Sequence, residues 1–479
     1  VTQEAYNGLV KGLKGLLNDY GMILVLIFMI GLFSLLTINE EEAVGTAAAE
    51  VMAEKIDKQG PGKNVLIIAS TSADDMEMAV NLERILDDKG HRVLERLNGD
   101  PPSAGQILRD LQKRNETVDI LAVTRNVAGW SLINNAGTKF SVCANAEILQ
   151  PSSRKFPRFL KTDNLRNIAD RISVIAILAI GMTMVIITAG IDLSVGSLIA
   201  LSAVSSALFI REFGGDAGAG PGMLIGCSLL AILICGLMGF FSGALSTTFK
   251  ITPFIATLAM MMIARGLAYK FSNVTTIPIS NESFAWLGKG RMAGIPVSVM
   301  VMSLLYLAAY FVMHRTTLGR HIYAIGGNTE AAHLSGVPVN KVLLLVYTIC
   351  GLLAGLGGVI TASNLAGGAA TYGDYYELYT IAAVVVGGTS LMGGEGKIMG
   401  TLIGAFIIAV IQSGMNQIGI ESNTQKVVFG LVIIGAIVTD KYKRREISTK
   451  QMSLLLVGIT VVGSTIYFFL RIIYPENFN

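Results

Sequence analysis

The chain has 479 residues, 52% of them hydrophobic and only 15% charged, and its mean hydropathy is +0.59. Soluble domains carry about 25% charged residues, so the composition excludes an ordinary soluble protein and indicates a membrane one. The formal net charge of +3 is too small and too dispersed for a nucleic-acid partner.

A membrane-crossing helix needs about 20 apolar residues. The first apolar run, 21–36, follows Lys11 and Lys14. No small-residue cleavage site comes after it; Asn39, Glu40, Glu41 and Glu42 do, so it reads as a retained first helix rather than a signal peptide. Later candidates are 171–189, 193–210, 223–249, 253–271, 296–313, 342–361, 378–386, 398–418, 427–438 and 454–473. The expected fold is an all-α polytopic membrane protein of about 10–11 helices, some broken or re-entrant, with a small inserted α/β soluble domain. Its divisions are 1–38, the inserted domain 39–160, the membrane core 161–445 and an added C-terminal helix in 446–479.

Lys and Arg in short loops set orientation. Lys11 and Lys14 place the N-terminus inside, and alternation then puts Lys250, the 314–341 loop and the basic cluster 441–445 inside too. The same alternation puts 39–160 outside, and the last helix would leave the C-terminus outside.

Within 39–160, the stretch ending at Gly62 reads as a charged, Ala-rich connector. VLIIAS (65–70) follows as a buried strand, and DDMEMAVNLERILDDKG has apolar residues at helical spacing, with Asp74 or Asp75 near its start and Gly90 after its end. HRVLERL reads as a second strand, PPSAGQILRDLQKR as a helix and DILAVT as a third strand. Strands alternating with helices predict a parallel sheet.

Polar features punctuate the membrane region. ITAGIDLSVGSLIA (187–200) sets Asp192 and Ser194 between two apolar helices. An ionisable residue there is costly, and two readings stand: a helix break lining a substrate path or gate, or a turn at the inner face in which Asp192 caps the next helix. A related pattern, TIAAVVVGGTSLMGGEGKIMGTLIGA (380–405), suggests a weak internal repeat. The run 378–386 is too short to span, which predicts a broken or re-entrant helix. The outer segment NLAGGAATYGDYYELY (364–379) concentrates Asn364, Tyr372, Asp374, Tyr375, Tyr376, Glu377 and Tyr379. Amides, carboxylates and aromatic faces suit a sugar, and they equally suit an interfacial aromatic belt. GLLAGLGG (351–358) and GTLIGA (400–405) have glycines four apart, which permit close helix contact.

Catalytic and metal chemistry finds no support. GGEGKI lacks the Ser/Thr and the spacing of a P-loop. His91, His314, His321 and His333 fit no ligand set, and Cys143, Cys227, Cys235 and Cys350 show neither metal-ligand spacing nor a disulfide framework. No catalytic residue, metal or bound cofactor is expected.

The loop GRHIYAIGGNTEAAHLSG (319–336) is the sharpest polar insert. Gly326, Gly327 and Asn328 signal a turn; Asn328 or Thr329 can cap a short helix, Glu330 suits its first turn, and Gly336 then Pro338 end it. It has no nucleophile with a partner and no phosphate cradle, so it reads as a surface for another protein to grip.

T-L-G-R-x-I-Y-A-I-G-G-N-x-E-A-A-x-L-S-G-V (317–337) resembles the cytoplasmic coupling loop of the permeases of ribose- and galactoside-type ATP-binding-cassette importers. GIDLSVGS, KITPFIATLAM and Y-E-L-x-x-I-A-A-V-V-V-G-G-T-S-L-x-G-G-x-G resemble further signatures of that family, in its order. The resemblance covers about 161–445 and the first helix. It implies a permease subunit in a bacterial inner membrane, paired with a second, identical or paralogous copy. It also implies a separate ATPase that binds ATP and Mg, and an external sugar-binding protein. Carried across, Gly319, Arg320, Gly326, Gly327, Asn328, Glu330, Ala331, Ala332 and Gly336 would form the ATPase-coupling loop. Asp192, Ser194, Asn364, Tyr376, Glu377 and Tyr379 would lie on the substrate path or gate. Tyr379 replaces the family's usual Asp, and Thr380 its Ala. Residues 39–160 interrupt the family's first external loop, where they would contact or partly replace the binding protein. The expected cargo is a monosaccharide. A nucleoside or other small polar solute is the alternative within the family, and a receptor with an external sensing domain is the alternative outside it.

Overall fold

The computed structural model describes residues 21–42, 44–151 and 153–443, with the isolated positions Ser448 and Gln451. The expected helix at 454–473, the lysines at 11 and 14 and the arginines at 444 and 445 lie outside the described residues. Two compact units emerge: Ile38–Arg158, and the chain on either side of it.

The inserted unit has strands β1 (Ile38–Glu42), β2 (Asn64–Ala69), β3 (Arg92–Asn98), β4 (Ile120–Val123), β5 (Glu147–Leu149) and β6 (Ser153–Pro157). Its long helices are α2 (Gly45–Asp57), α3 (Ala73–Asp88) and α4 (Pro101–Lys113). β1 and β6 form a separate antiparallel ribbon, while the others make a parallel sheet in the order β3-β2-β4-β5. Alternation along β2 gives each face a core. Val65 and Ile67 pack with Met52 and Ile56 of α2 and Leu82 and Leu86 of α3; Leu66 and Ile68 pack with Leu108 and Leu111 of α4. The three expected strands and two helices are present. The expected connector before them is instead α2, whose Ala48, Ala49, Met52, Ala53 and Ile56 form one buried stripe. Its many alanines are the surface that packs closely on α3, which charge content alone obscured.

The membrane unit begins with α1 (Gly21–Leu36). It continues with α5 (Thr162–Ile187), α6 (Val195–Gly214), α7 (Pro221–Thr248), α8 (Pro253–Ser272), the short α9 (Glu282–Lys289) and α10 (Val297–Arg315). Then come α11 (Thr317–Gly327), α12 (Thr329–Leu334), α13 (Val339–Leu365), α14 (Tyr376–Val386), α15 (Ile398–Gln417) and α16 (Ser422–Lys443). Among the described residues seven helices are long and apolar enough to cross a membrane, and three shorter apolar ones accompany them. The chain is a polytopic helical membrane protein carrying an α/β insert.

Small residues bring these helices together. A side chain on Gly239 of α7 would overlap the Tyr347 carbonyl, and one on Gly351 of α13 would overlap the Cys235 carbonyl, so the two helices touch backbone to backbone. Buried hydroxyls add cross-links: Thr183 meets Thr401 at 2.8 Å, and Ser202 donates to the Gly355 carbonyl at 2.6 Å.

Contacts sort the loops into two ends. At one end Met22 of α1 approaches Gly388 and Gly400, and Gly394 N–H donates to the Ile187 carbonyl at 2.8 Å. At the other, Phe33 stacks on Phe159, Asn281 donates to the Ala219 carbonyl, Ser363 to the Phe284 carbonyl, and Ser413 to Asn164. Helices alternating in direction from α1 onward require this sorting.

Candidate functional site

The first polar region lies at the Gly394 end. α11 is an amphipathic helix that the sequence reading missed, taking Gly326-Gly327 for a turn; both glycines are helical residues. Gly326 is there for closeness: a Cβ on it would overlap the Ile187 carbonyl and the Gly394 nitrogen. Gly319 is also packed, against the Met313 backbone, whereas Arg320 and Gly327 are exposed. Tyr323 donates its hydroxyl to the Gly396 carbonyl at 2.8 Å, a second tie between α11 and the Gly-rich 387–397 loop. Asn328 caps α12 by accepting from Ala331 N–H at 2.9 Å. Gly336, at φ +84°, ends it in the left-handed region, and Val337 N–H returns to the Ala332 carbonyl. Ala332 is buried beneath the helix, while Asn328, Glu330 and Ala331 are exposed and Leu334 is 87% exposed. An apolar side chain held out by a capped helix is a surface with no covering among the described residues.

The second region is inside the bundle. After α5 the chain turns back, with Ala189 at φ +60°, and reaches the Asp192 carboxyl, which is fully buried. Its Oδ1 accepts from the Ser194 N–H at 2.9 Å and the Ser194 hydroxyl at 2.6 Å, so it organises the first turn of α6. Its Oδ2 has no hydrogen-bond partner, and neither has the Tyr347 hydroxyl, which lies against Gly190. Tyr347 stands about 12 Å along α13 from Val339, at 1.5 Å per residue. Asp192 therefore makes the turn that leads into α6, whose N-cap residue is Ser194, and it does so buried in the bundle.

From the opposite end, the segment 366–375 descends along α6. Gly368 packs on the Ala203 backbone, and Gly373, at φ +72°, reaches Gly196 and Ile199. The short α14 starts there, and the Glu377 carboxyl lies against Gly196 in the first turn of α6. Two helices thus begin in the protein interior, facing each other. Their positive ends favour negative charge or a polar ligand. Glu377 Oε2 has no hydrogen-bond partner.

Beside this junction is a cavity of about 430 Å³, lined by Ser197, Arg265, Tyr269, Asp374, Tyr375 and Glu377 together with methionines of α8. Small-molecule pockets usually measure about 300–1,000 Å³. Arg265 holds the descending segment, donating to the Ala370 and Tyr372 carbonyls and pairing with Asp374 at 3.0 Å. The sequence reading passed over Arg265, although a lone arginine inside an apolar helix was a signal for it. Ser197 gave no comparable signal.

Of the expected path residues, Asp192 and Ser194 are brought together and Glu377 reaches the same turn of α6. Tyr379 packs edge-on to Phe429 of α16 at 4.7 Å, with Tyr376 beside it at 6.1 Å. Asn364 is exposed near the end of α13. Of these six residues only Glu377 lines the cavity.

Among the described residues no cluster of three or more His, Cys, Asp or Glu side chains could hold a metal. The four cysteines are buried and unpaired with one another.

A family profile described as "branched-chain amino acid transport system / permease component" matches residues 164–437. The ribose import permease protein of Escherichia coli (strain K12) is 42% identical over 293 residues, 60% of this chain and 88% of that protein. The ribose import permease protein of Bacillus subtilis (strain 168) is 42% identical over 289 residues, 60% of this chain and 87% of that protein. The D-allose transport system permease protein of Escherichia coli (strain K12) is 35% identical over 283 residues, 59% and 85%. No solved structure matches. The chain belongs to this permease family and is the membrane-spanning permease subunit of an ATP-binding-cassette importer.

Proposed function

We propose that the chain imports a monosaccharide of the ribose or galactose type, using the cavity between α6, α8 and α14 as a station on the path. The observation that carries this reading is the pairing of the two interior helix starts with Glu377, Asp374, Arg265 and two tyrosines around one cavity. Carboxylates and a guanidinium hydrogen-bond hydroxyls, and tyrosine rings cover the apolar face of a sugar. The names of the relatives support the same cargo.

Energy would come from a separate ATPase that binds ATP and Mg and docks on α12, where Leu334 and Ala331 are presented. Movement of α12 reaches the interior through α11, because Gly326 and Tyr323 hold the loop that is bonded to the end of α5. A second permease copy completes the path, and an external sugar-binding protein delivers the cargo. In this reading the protein sits in a bacterial inner membrane, with the N-terminus and α11–α12 inside and the inserted unit outside.

The test is affinity purification of the tagged chain from gently solubilised native membranes, followed by labelled-sugar uptake in cells. Recovery of a P-loop ATPase that is lost in Glu330→Arg with Ala331→Lys, together with ribose or galactose uptake lost in Glu377→Ala, is expected. Recovery of the intact chain without an ATPase would overturn the coupling assignment. Uptake unaffected by Glu377→Ala would overturn the path.

A further inference from the structure

The inserted α/β unit has a crevice of its own. In its parallel sheet, β2 lies between β3 and β4. The chain leaves β2 through α3 on one face to reach β3, and returns through α4 on the other face to reach β4. β2 and β4 are therefore neighbours whose following segments diverge to opposite faces, which opens a crevice beyond their carboxyl ends. Open α/β sheets bind ligands at this reversal of strand order.

The crevice is present as a cavity of about 90 Å³, bounded by Ala48, Asp75, Met78, Thr124, Arg125 and Asn126. Its chemistry is divided. Its floor is apolar, from Ala48 of α2 and Met78 of α3, both almost wholly buried in the core beneath. Its wall centres on Asp75, whose Oδ2 accepts from the Ser70 hydroxyl at 2.6 Å, the Thr124 hydroxyl at 2.9 Å and the Asn126 amide at 3.1 Å. All three of these bonds fall on Oδ2, and Oδ1 takes none of them. Burial raises the Asp75 carboxyl, but those hydrogen bonds outweigh it and hold the group below the ordinary carboxylate range, so it is an acceptor at neutral pH. The α2 side of the floor is fixed to α3 by Thr46, which donates to Glu77 at 2.9 Å.

We propose that this crevice, too small to enclose a whole sugar, binds one hydroxyl-bearing edge of a monosaccharide outside the membrane path, with Asp75 Oδ1 accepting a hydroxyl and the exposed Asn126 and Arg125 flanking it. A resident carboxylate disfavours an anion, and a lone carboxylate is too few ligands for a metal. A neutral polyol offers Asp75 and Asn126 hydroxyls without a charge that opposes the carboxylate. The site stands on the insert alone and does not depend on the transport reading.

The test uses the full chain in lipid nanodiscs and hydrogen–deuterium exchange with D-ribose, D-galactose and D-glucose, each against a citrate control. One sugar is expected to slow exchange about threefold in peptides covering 70–78 and 121–127, as ligation at about twice its Kd does to local opening. Asp75→Ala is expected to abolish the slowing. Asn126→Ala, an exposed position that leaves both cores untouched, is expected to weaken it. Glu377→Gln, in the membrane cavity, is expected to leave it unchanged, which separates this site from the transport path. No slowing with any of the three sugars, slowing by citrate instead, or slowing that persists in Asp75→Ala would overturn the proposal.

Discussion

The Glu377 carboxyl occupies the space in which a side chain on Gly196 would begin. One residue starts α14 and the other lies in the first turn of α6, so the contact joins two helix starts that come from opposite ends of the bundle. A methyl at Gly196 must push the carboxyl away from that turn. Gly196→Ala is expected to lower sugar uptake about tenfold or more, since a displacement of about 1 Å in a positioning group can cost a hundredfold. Membrane levels should stay near wild type. Initial uptake rate per copy, with copy number from quantitative blotting, is the measurement.

Asp192 is a buried carboxyl whose bonded oxygen serves Ser194 and whose other oxygen has no partner. Asparagine preserves the bonded oxygen and removes any buried charge. Asp192→Asn is therefore expected to unfold within about 0.5 kcal/mol of wild type, whereas Asp192→Ala loses the hydrogen bonds to Ser194 and about 1 kcal/mol or more. Denaturation of the purified chain in mild detergent, followed by circular dichroism, separates the two. Equal losses in both variants would mean that charge, not the turn, is what the fold requires.

Thr380 replaces an alanine of the resembled signature, and its fully buried hydroxyl has no hydrogen-bond partner. An unsatisfied buried polar group costs about 1–3 kcal/mol. Thr380→Val keeps the shape and removes the orphan, so the unfolding midpoint is expected to rise by an amount equivalent to about 1 kcal/mol. A fall would point to a water bonded at Thr380.

Gly326 allows α11 to meet the 387–397 loop at backbone distance. Gly326→Val inserts branched carbon between the Ile187 carbonyl and the Gly394 nitrogen, which are themselves bonded at 2.8 Å. Overpacking of this kind costs about 1–3 kcal/mol. The expected phenotype is loss of substrate-stimulated ATPase activity in the assembled transporter with the ATPase still bound. Loss of binding instead would place the defect on the docking surface.

Apolar periodicity made the helices legible in the sequence because a span must satisfy its backbone internally and face lipid or protein along its whole length. The short run 378–386 stood out as too short to span, and it became α14. What periodicity cannot carry is the meeting of distant turns. Arg265 lies on α8 and Ser197 on α6, yet both line one cavity with Glu377, and no spacing links the three. Tyr379 shares a polar segment with Glu377, but two residues are about half a turn of a helix, which points its ring to Phe429 rather than into the cavity. Gly326 and Gly327 read as a turn because glycine is ambiguous: the same residue serves a positive φ or a close approach, and only the neighbouring backbone decides.

Acid stability of the insert follows from Asp75. Its folded carboxyl titrates below the ordinary range because hydrogen bonds from Ser70, Thr124 and Asn126 overcome the effect of burial. The folded state therefore binds fewer protons than the unfolded state as pH falls, and stability declines with acidification. The contribution is fully present above the unfolded value, about pH 3.9 for aspartate, and is lost as pH drops through the folded one. Aspartates 57 and 100 are held low as well, Asp57 chiefly by Lys89 and Asp100 chiefly by Ser103, so wild type alone does not isolate Asp75. The comparison with Asp75→Asn does. Urea unfolding followed by Trp130 fluorescence, with Trp286→Phe to silence the membrane unit, is expected to show the wild-type advantage at pH 6 shrinking toward pH 3. A difference that stays constant with pH would mean that Asp75 contributes shape rather than charge to the crevice.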